Sequence, residues 1–164
     1  MTTDTAEVGG AGGAFDVGTE GGFDRILLPV DGDTDERVHE VALSLAAAHG
    51  ARVDALSVVP MDASVDHWDM VVERREDAAE AALDAVGDAA ARAGVDAEKR
   101  LRYGTPAEEI GLYADGNDVD LVVVGEPDRT GLRRLLSPRS VAADVRRETS
   151  LPVVSVPTAT DRTE

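Results

Sequence analysis

Between Gly125 and Arg147 the chain carries six arginines: Arg129, Arg133, Arg134, Arg139, Arg146 and Arg147. Only Glu126, Asp128 and Asp144 oppose them, so this segment is net +3 in a protein of formal charge −17. Guanidinium forks match phosphate oxygens bidentately, which makes the segment a candidate anion site. The alternative is that these arginines pair with acids on neighbouring elements or solvate a helix face. Asp31-Gly32-Asp33 is a second candidate, directly after the apolar run Arg25-Ile26-Leu27-Leu28-Pro29-Val30. Here the plainer role for Asp31 is to cap the turn that follows.

Other chemistry finds little support. The histidines are His39, His49 and His67. His39 and His49 are ten apart on one expected helix, which is not a metal-binding i, i+4 pair. Asp62, Asp66 and Asp69 lack the glycine and terminal glutamate of a calcium loop and read as a solvated acidic stretch. No Gly-x-Ser-x-Gly elbow occurs. With no cysteine, disulfides, thiolate metal sites and thiol catalysis are excluded. No catalytic constellation emerges, and the expectation is a protein that is not an enzyme.

The elements that must position these residues follow from periodicity. Residues 25–30 are a short apolar run and read as a buried strand. Asp33 lies three residues before Glu36, a capping-box spacing with Asp33 as N-cap. Val38, Val41, Ala42, Leu45 and Ala46 recur at helical spacing, and Gly50 supplies the stop. Residues 52–59 are a second strand ended by Pro60. Trp68, Val71, Val72, Ala79, Ala82, Leu83, Val86, Ala90 and Ala93 mark a long helix closed by Gly94. Residues 97–103 form a polar third strand suited to an edge. Thr105 as N-cap, Pro106 at N1 and Glu108 at N3 start a short helix that uses Ile110 and Tyr113. Residues 119–124 give the strongest strand pattern. A helix around 138–149 and a strand at 152–156 complete the chain. Strict alternation of strand and helix implies a parallel sheet covered on both faces, doubly wound through right-handed crossovers. Ligands of such sheets sit beyond the carboxyl ends of the strands. Those ends are Asp31-Gly32-Asp33, Val58-Val59-Pro60, Gly104-Thr105 and Gly125 onward.

Composition bounds the setting. The 164 residues suit one domain, and 43% hydrophobic residues suffice for a core. With aromatics at 3%, that core must be Val, Leu, Ile and Ala. Residues 1–22 hold seven of the 16 glycines without apolar period and read as a flexible tail, as do 158–164. No apolar run approaches membrane-spanning length and no secretory signal is visible, so a cytoplasmic location is expected. A charge of −17 argues against nucleic acid as a partner. Lys99 is the only lysine. This balance fits an acidic protein from a GC-rich genome or, the preferred reading, a halophilic protein whose self-repulsion is screened by salt.

Four segments, in order and at the right spacing, resemble the universal stress protein family over roughly residues 23–157. They are Ile26-Leu27-Leu28-Pro29-Val30-Asp31-Gly32, Gly104-Thr105-Pro106-Ala107-Glu108-Glu109-Ile110, Asp120-Leu121-Val122-Val123-Val124-Gly125 with the Arg129–Leu136 stretch, and Leu151-Pro152-Val153-Val154. The resemblance implies a Rossmann-like α/β fold: a five-stranded parallel sheet of order 3-2-1-4-5 with helices on both faces. It implies a stress-response module that binds ATP or another adenine nucleotide, with Mg only if ATP binds. Pro29, Asp31 and Val58 would meet the base and ribose, and Val124, Gly125, Arg129, Arg139, Ser140 and Val141 the phosphate end. Of the family's three motif glycines only Gly125 is kept. The second falls on Asp128, the third on Pro138 or Arg139. A carboxylate at 4 Å would oppose a phosphate charge by about 4 kcal/mol at an effective dielectric of 20. A nucleotide-free homodimer, paired through the 152–156 edge strand, is therefore the competing expectation.

Overall fold

The computed structural model describes residues 22–61, 68–127 and 140–158. The expected tails fall outside these residues except for Gly22 and Thr158, and so do Arg129, Arg133, Arg134 and Arg139.

Strands and helices alternate as β1 (Arg25–Pro29), α1 (Glu36–His49), β2 (Arg52–Pro60), α2 (Trp68–Ala93), β3 (Ala97–Gly104), α3 (Pro106–Gly116), β4 (Leu121–Pro127), α4 (Val141–Glu148) and β5 (Val153–Thr158). All neighbouring strands are parallel, in the order β3-β2-β1-β4-β5. The expected topology is observed, with polar β3 at one edge and β5 at the other.

The continuous apolar strands are explained by burial on both faces. In β1, Ile26 and Leu28 enter one core layer with Val38, Val53, Leu83, Val86 and Val123. Leu27, between them, enters the other with Leu56, Ile110, Tyr113, Val122, Val124 and Val145. Helices α1 and α2 cover the first face, α3 and α4 the second. Small residues let α3 and α4 approach closely: a Cβ on Gly111 would stand 2.7 Å from Glu148 Cβ and 2.8 Å from its carbonyl oxygen.

One charge is buried outright. Asp54, near the amino end of β2, is fully buried. Its carboxylate accepts from the Tyr113 hydroxyl at 2.9 Å and from Arg52 at 3.2 Å, and Arg25 Nε lies 3.7 Å away. Burial, and then the bond to Asp54, push the Tyr113 phenol up, while Arg100 pulls it down. These partners tie β1, β2 and α3 together at the amino ends of the strands.

Several boundaries differ from expectation. The N-cap of α1 is Asp35, whose carboxylate accepts from the Arg37 N–H at 2.8 Å. Asp33 is not the cap: it lies two residues before it, within the turn that Asp31 closes by accepting the Asp33 N–H. Thr105 does occupy the N-cap of α3, but its hydroxyl makes no capping bond. Helix α1 buries His39 and Leu43 more deeply than Val41 and Leu45, since it packs on α2 as well as on the sheet. Strand β4 continues past Gly125 to Pro127, and β5 runs to Thr158, because their ends pair with each other.

Candidate functional site

A cavity of about 340 Å³ opens at the carboxyl ends of β1, β2 and β4. Its position is dictated by topology: α1 leaves the sheet from β1 on one face and α4 covers β4 on the other. The divergence leaves a crevice above β1.

The β1–α1 turn forms one wall. Asp31 is exposed, and its Oδ1 accepts from the Asp33 N–H at 2.9 Å and from the Thr34 hydroxyl at 3.0 Å. Thr34 Oγ1 in turn accepts from the Asp31 N–H at 2.9 Å. The turn is thus closed reciprocally by two side chains, which holds Asp31 at the cavity rim. Its capping role is realised, and its second carboxylate oxygen, Oδ2, is not part of these bonds.

The β2 end is mostly apolar. Pro29, Leu56, Val58, Ala78, Ala79 and Ile110 line it. Pro60 and Arg75 close it: the Arg75 guanidinium donates to the Pro60 carbonyl at 2.6 Å.

The β4 end has different chemistry. Val124 and Gly125 lie toward the carboxyl end of β4, and Val141 begins α4. Ser140 is the N-cap, accepting from the Ala143 N–H at 3.1 Å. Helix starts leave N–H groups without intrahelical partners, here those of Val141 and Ala142, and so favour anions. The Glu126 carboxylate is the opposing feature: its Oε1 lies 3.4 Å from the Ser140 hydroxyl. Gly125 has a packing reason as well. A Cβ there would be 3.0 Å from Val38 Cγ2 on α1.

Of the residues singled out in the sequence, Pro29, Asp31, Val58, Val124, Gly125 and Val141 line this one cavity. Ser140 sits beside it as the α4 cap. Arg129 and Arg139, like Asp128 and Pro138, lie outside the described residues. Arg146 and Arg147 do not line the cavity: Arg146 donates to the Ser155 hydroxyl, and Arg147 pairs with Asp144 at 3.3 Å. Of these two only Arg147 pairs with an acid, and that acid lies on its own helix. Arg75 and Thr158 line the cavity and carried no signal in the sequence, where Arg75 is one more charge on an acidic amphipathic helix. Among the described residues, no group of three or more His, Asp or Glu side chains is placed to hold a metal ion, and no helix is long and apolar enough to cross a membrane.

The family model of the universal stress proteins matches residues 22–157. The universal stress protein MJ0531 of Methanocaldococcus jannaschii is 31% identical over 140 residues, which is 82% of each chain. Among solved structures, a universal stress protein in complex with cAMP superposes with a TM-score of 0.68 at 26% identity, covering 84% of this chain and 99% of that one. A member of the same family from Burkholderia pseudomallei gives a TM-score of 0.64 at 27% identity, covering 82% and 96%.

Proposed function

The chain belongs to the universal stress protein family, and from that premise we propose that it is a stress-response module that binds an adenine nucleotide without turning it over. The observation that carries this reading is the convergence of Pro29, Asp31, Val58, Gly125 and Val141 on one cavity with an apolar end and a helix start at the other. The solved relative in complex with cAMP, 26% identical, supports an adenine nucleotide as the ligand. The base lies at the β2 end and the ribose beside Asp31. The phosphate meets the Gly125 backbone and the N–H groups of Val141 and Ala142, with Ser140, Arg129 and Arg139 as further partners. ATP is one member of this ligand class, and a Mg ion would arrive with its phosphates.

Isothermal titration of the full chain with ATP, ADP, AMP and cAMP in concentrated KCl tests the proposal. Saturable heat with at least one of them is expected. No heat with any, in protein shown by circular dichroism to be folded, contradicts it.

A second reading rests on β5. Its sheet partner is β4 alone, and Val153, Val154 and Ser155 are only half-buried. An edge of this kind favours pairing with a second copy. A homodimer through residues 152–156, independent of nucleotide, is therefore proposed beside the first reading. A strict monomer at micromolar concentration in light scattering would overturn it. The acid excess belongs with both readings as the mark of a halophilic, cytoplasmic protein that avoids nucleic acid and membranes.

A further inference from the structure

We infer that Arg75 is a specificity-determining residue of this cavity, contacting the base of the bound nucleotide; the inference rests on the nucleotide reading above. The two ends of the cavity lie above β2 and β4, with β1 between them. Two strand spacings separate them by roughly 10 Å. A purine base has apolar faces and a polar rim, so it belongs at the end walled by Leu56, Val58 and Ile110. The phosphate belongs at the helix start, where backbone N–H groups await an anion.

Arg75 stands at the base end. Among the described residues that line the cavity it is the one cation. Its bond to the Pro60 carbonyl fixes the guanidinium at the exit of β2, two residues beyond Val58. That bond engages one Nη1 hydrogen of a group with five N–H donors. Among the described residues no other bond engages the planar cation, which leaves it to stack on a base or to donate to ring nitrogens. Space for the base is preserved by small neighbours: Ala78 and Ala79 follow on α2, and a Cβ added to Gly32 would first meet Ala78 Cβ, at 3.9 Å. A lysine here would supply charge without the plane or the fork.

The bond to Pro60 also admits a purely structural role, and the experiment separates the two. Adenosine and AMP are titrated into the full chain, its Arg75→Ala variant and its Arg75→Gln variant, and Tm is recorded for each. Gln keeps a donor for the Pro60 carbonyl but removes the cation. A base contact predicts that both variants lose affinity for adenosine and AMP by the same factor, about tenfold, with the Gln variant unchanged in Tm. Unchanged affinities overturn the inference. So does a loss confined to AMP, which would make Arg75 a phosphate ligand, or a loss that appears only together with a lowered Tm. If the wild-type chain binds neither these two nor ATP, ADP or cAMP, the nucleotide reading itself fails, and Arg75 with it; binding of the others without adenosine or AMP overturns the base contact alone. Wild-type binding with unaffected variants removes Arg75 alone.

Discussion

Gly125 lies directly against Val38: a Cβ on the glycine would come within 3.0 Å of Val38 Cγ2. The glycine proposed to meet the phosphate is therefore also the point where α1 packs onto the carboxyl-terminal half of β4. Its two roles can be separated. Gly125→Ala should lower both stability and nucleotide affinity. Adding Val38→Ala makes room for the new methyl but leaves a cavity below it, so it restores stability only in part. If affinity stays low in the double variant, measured by titration beside a denaturation curve, the glycine is needed for approach of the ligand. Full recovery of affinity would make its role packing alone.

Asp31 and Thr34 close the β1–α1 turn through mutual hydrogen bonds. Asp31→Ala removes the acceptor for both the Asp33 N–H and the Thr34 hydroxyl. A loss of about 1 kcal/mol in stability is expected, the usual net worth of an intramolecular hydrogen bond. Thr34→Val should cost a similar amount of stability. It leaves the Asp31 carboxylate in place, so nucleotide affinity should fall further in Asp31→Ala than in Thr34→Val. Equal affinity losses would mean that Asp31 acts only through the turn.

His39 is buried in α1, and its Nε2 has no hydrogen-bond partner among the described residues. Burial holds its pKa below the ordinary 6.5, against the smaller opposing pull of Glu36 and Asp35. The folded chain therefore keeps this imidazole neutral in a range where the unfolded chain protonates. The contribution is intact above about pH 6.5 and is lost as pH falls from there toward the folded value. His39→Leu should flatten that part of the stability–pH curve. An unchanged slope in urea titrations between pH 7 and pH 5 would rule out His39 as its source.

Asp54 is buried with Arg25, Arg52 and Tyr113 around it. Truncating one member of such a cluster strands the others. Asp54→Ala should cost about 3–5 kcal/mol, and Tyr113→Phe about 1–3 kcal/mol. Because the network lies at the amino ends of the strands, a folded Tyr113→Phe variant should bind nucleotide as the wild type does. A selective loss of affinity would connect the network to the cavity.

The strands are legible because a parallel sheet buried on both faces demands unbroken Val, Leu and Ile, as in Ile26-Leu27-Leu28 and Leu121-Val122-Val123-Val124, whereas their order follows from the family resemblance and not from these runs. Part of the cavity lining is legible too, since Asp31 and Pro60 mark the exits of β1 and β2 and Gly125 lies near that of β4. The α1 cap is ambiguous in the sequence because Asp33 and Asp35 both precede Glu36, and only the backbone course of the 31–34 turn, which starts the helix at Glu36, gives the cap to Asp35. Arg75 and His39 were missed for one reason: periodicity shows which face of a helix is apolar, but not which charged or polar side chain turns toward a cavity or a neighbouring helix.

The most direct test of the central claim is a crystal structure of the full chain soaked with AMP in high salt. The base is predicted between Val58 and Arg75, with the phosphate at the start of α4 beside Gly125. An empty cavity at saturating AMP, or AMP bound elsewhere on the molecule, would contradict the account.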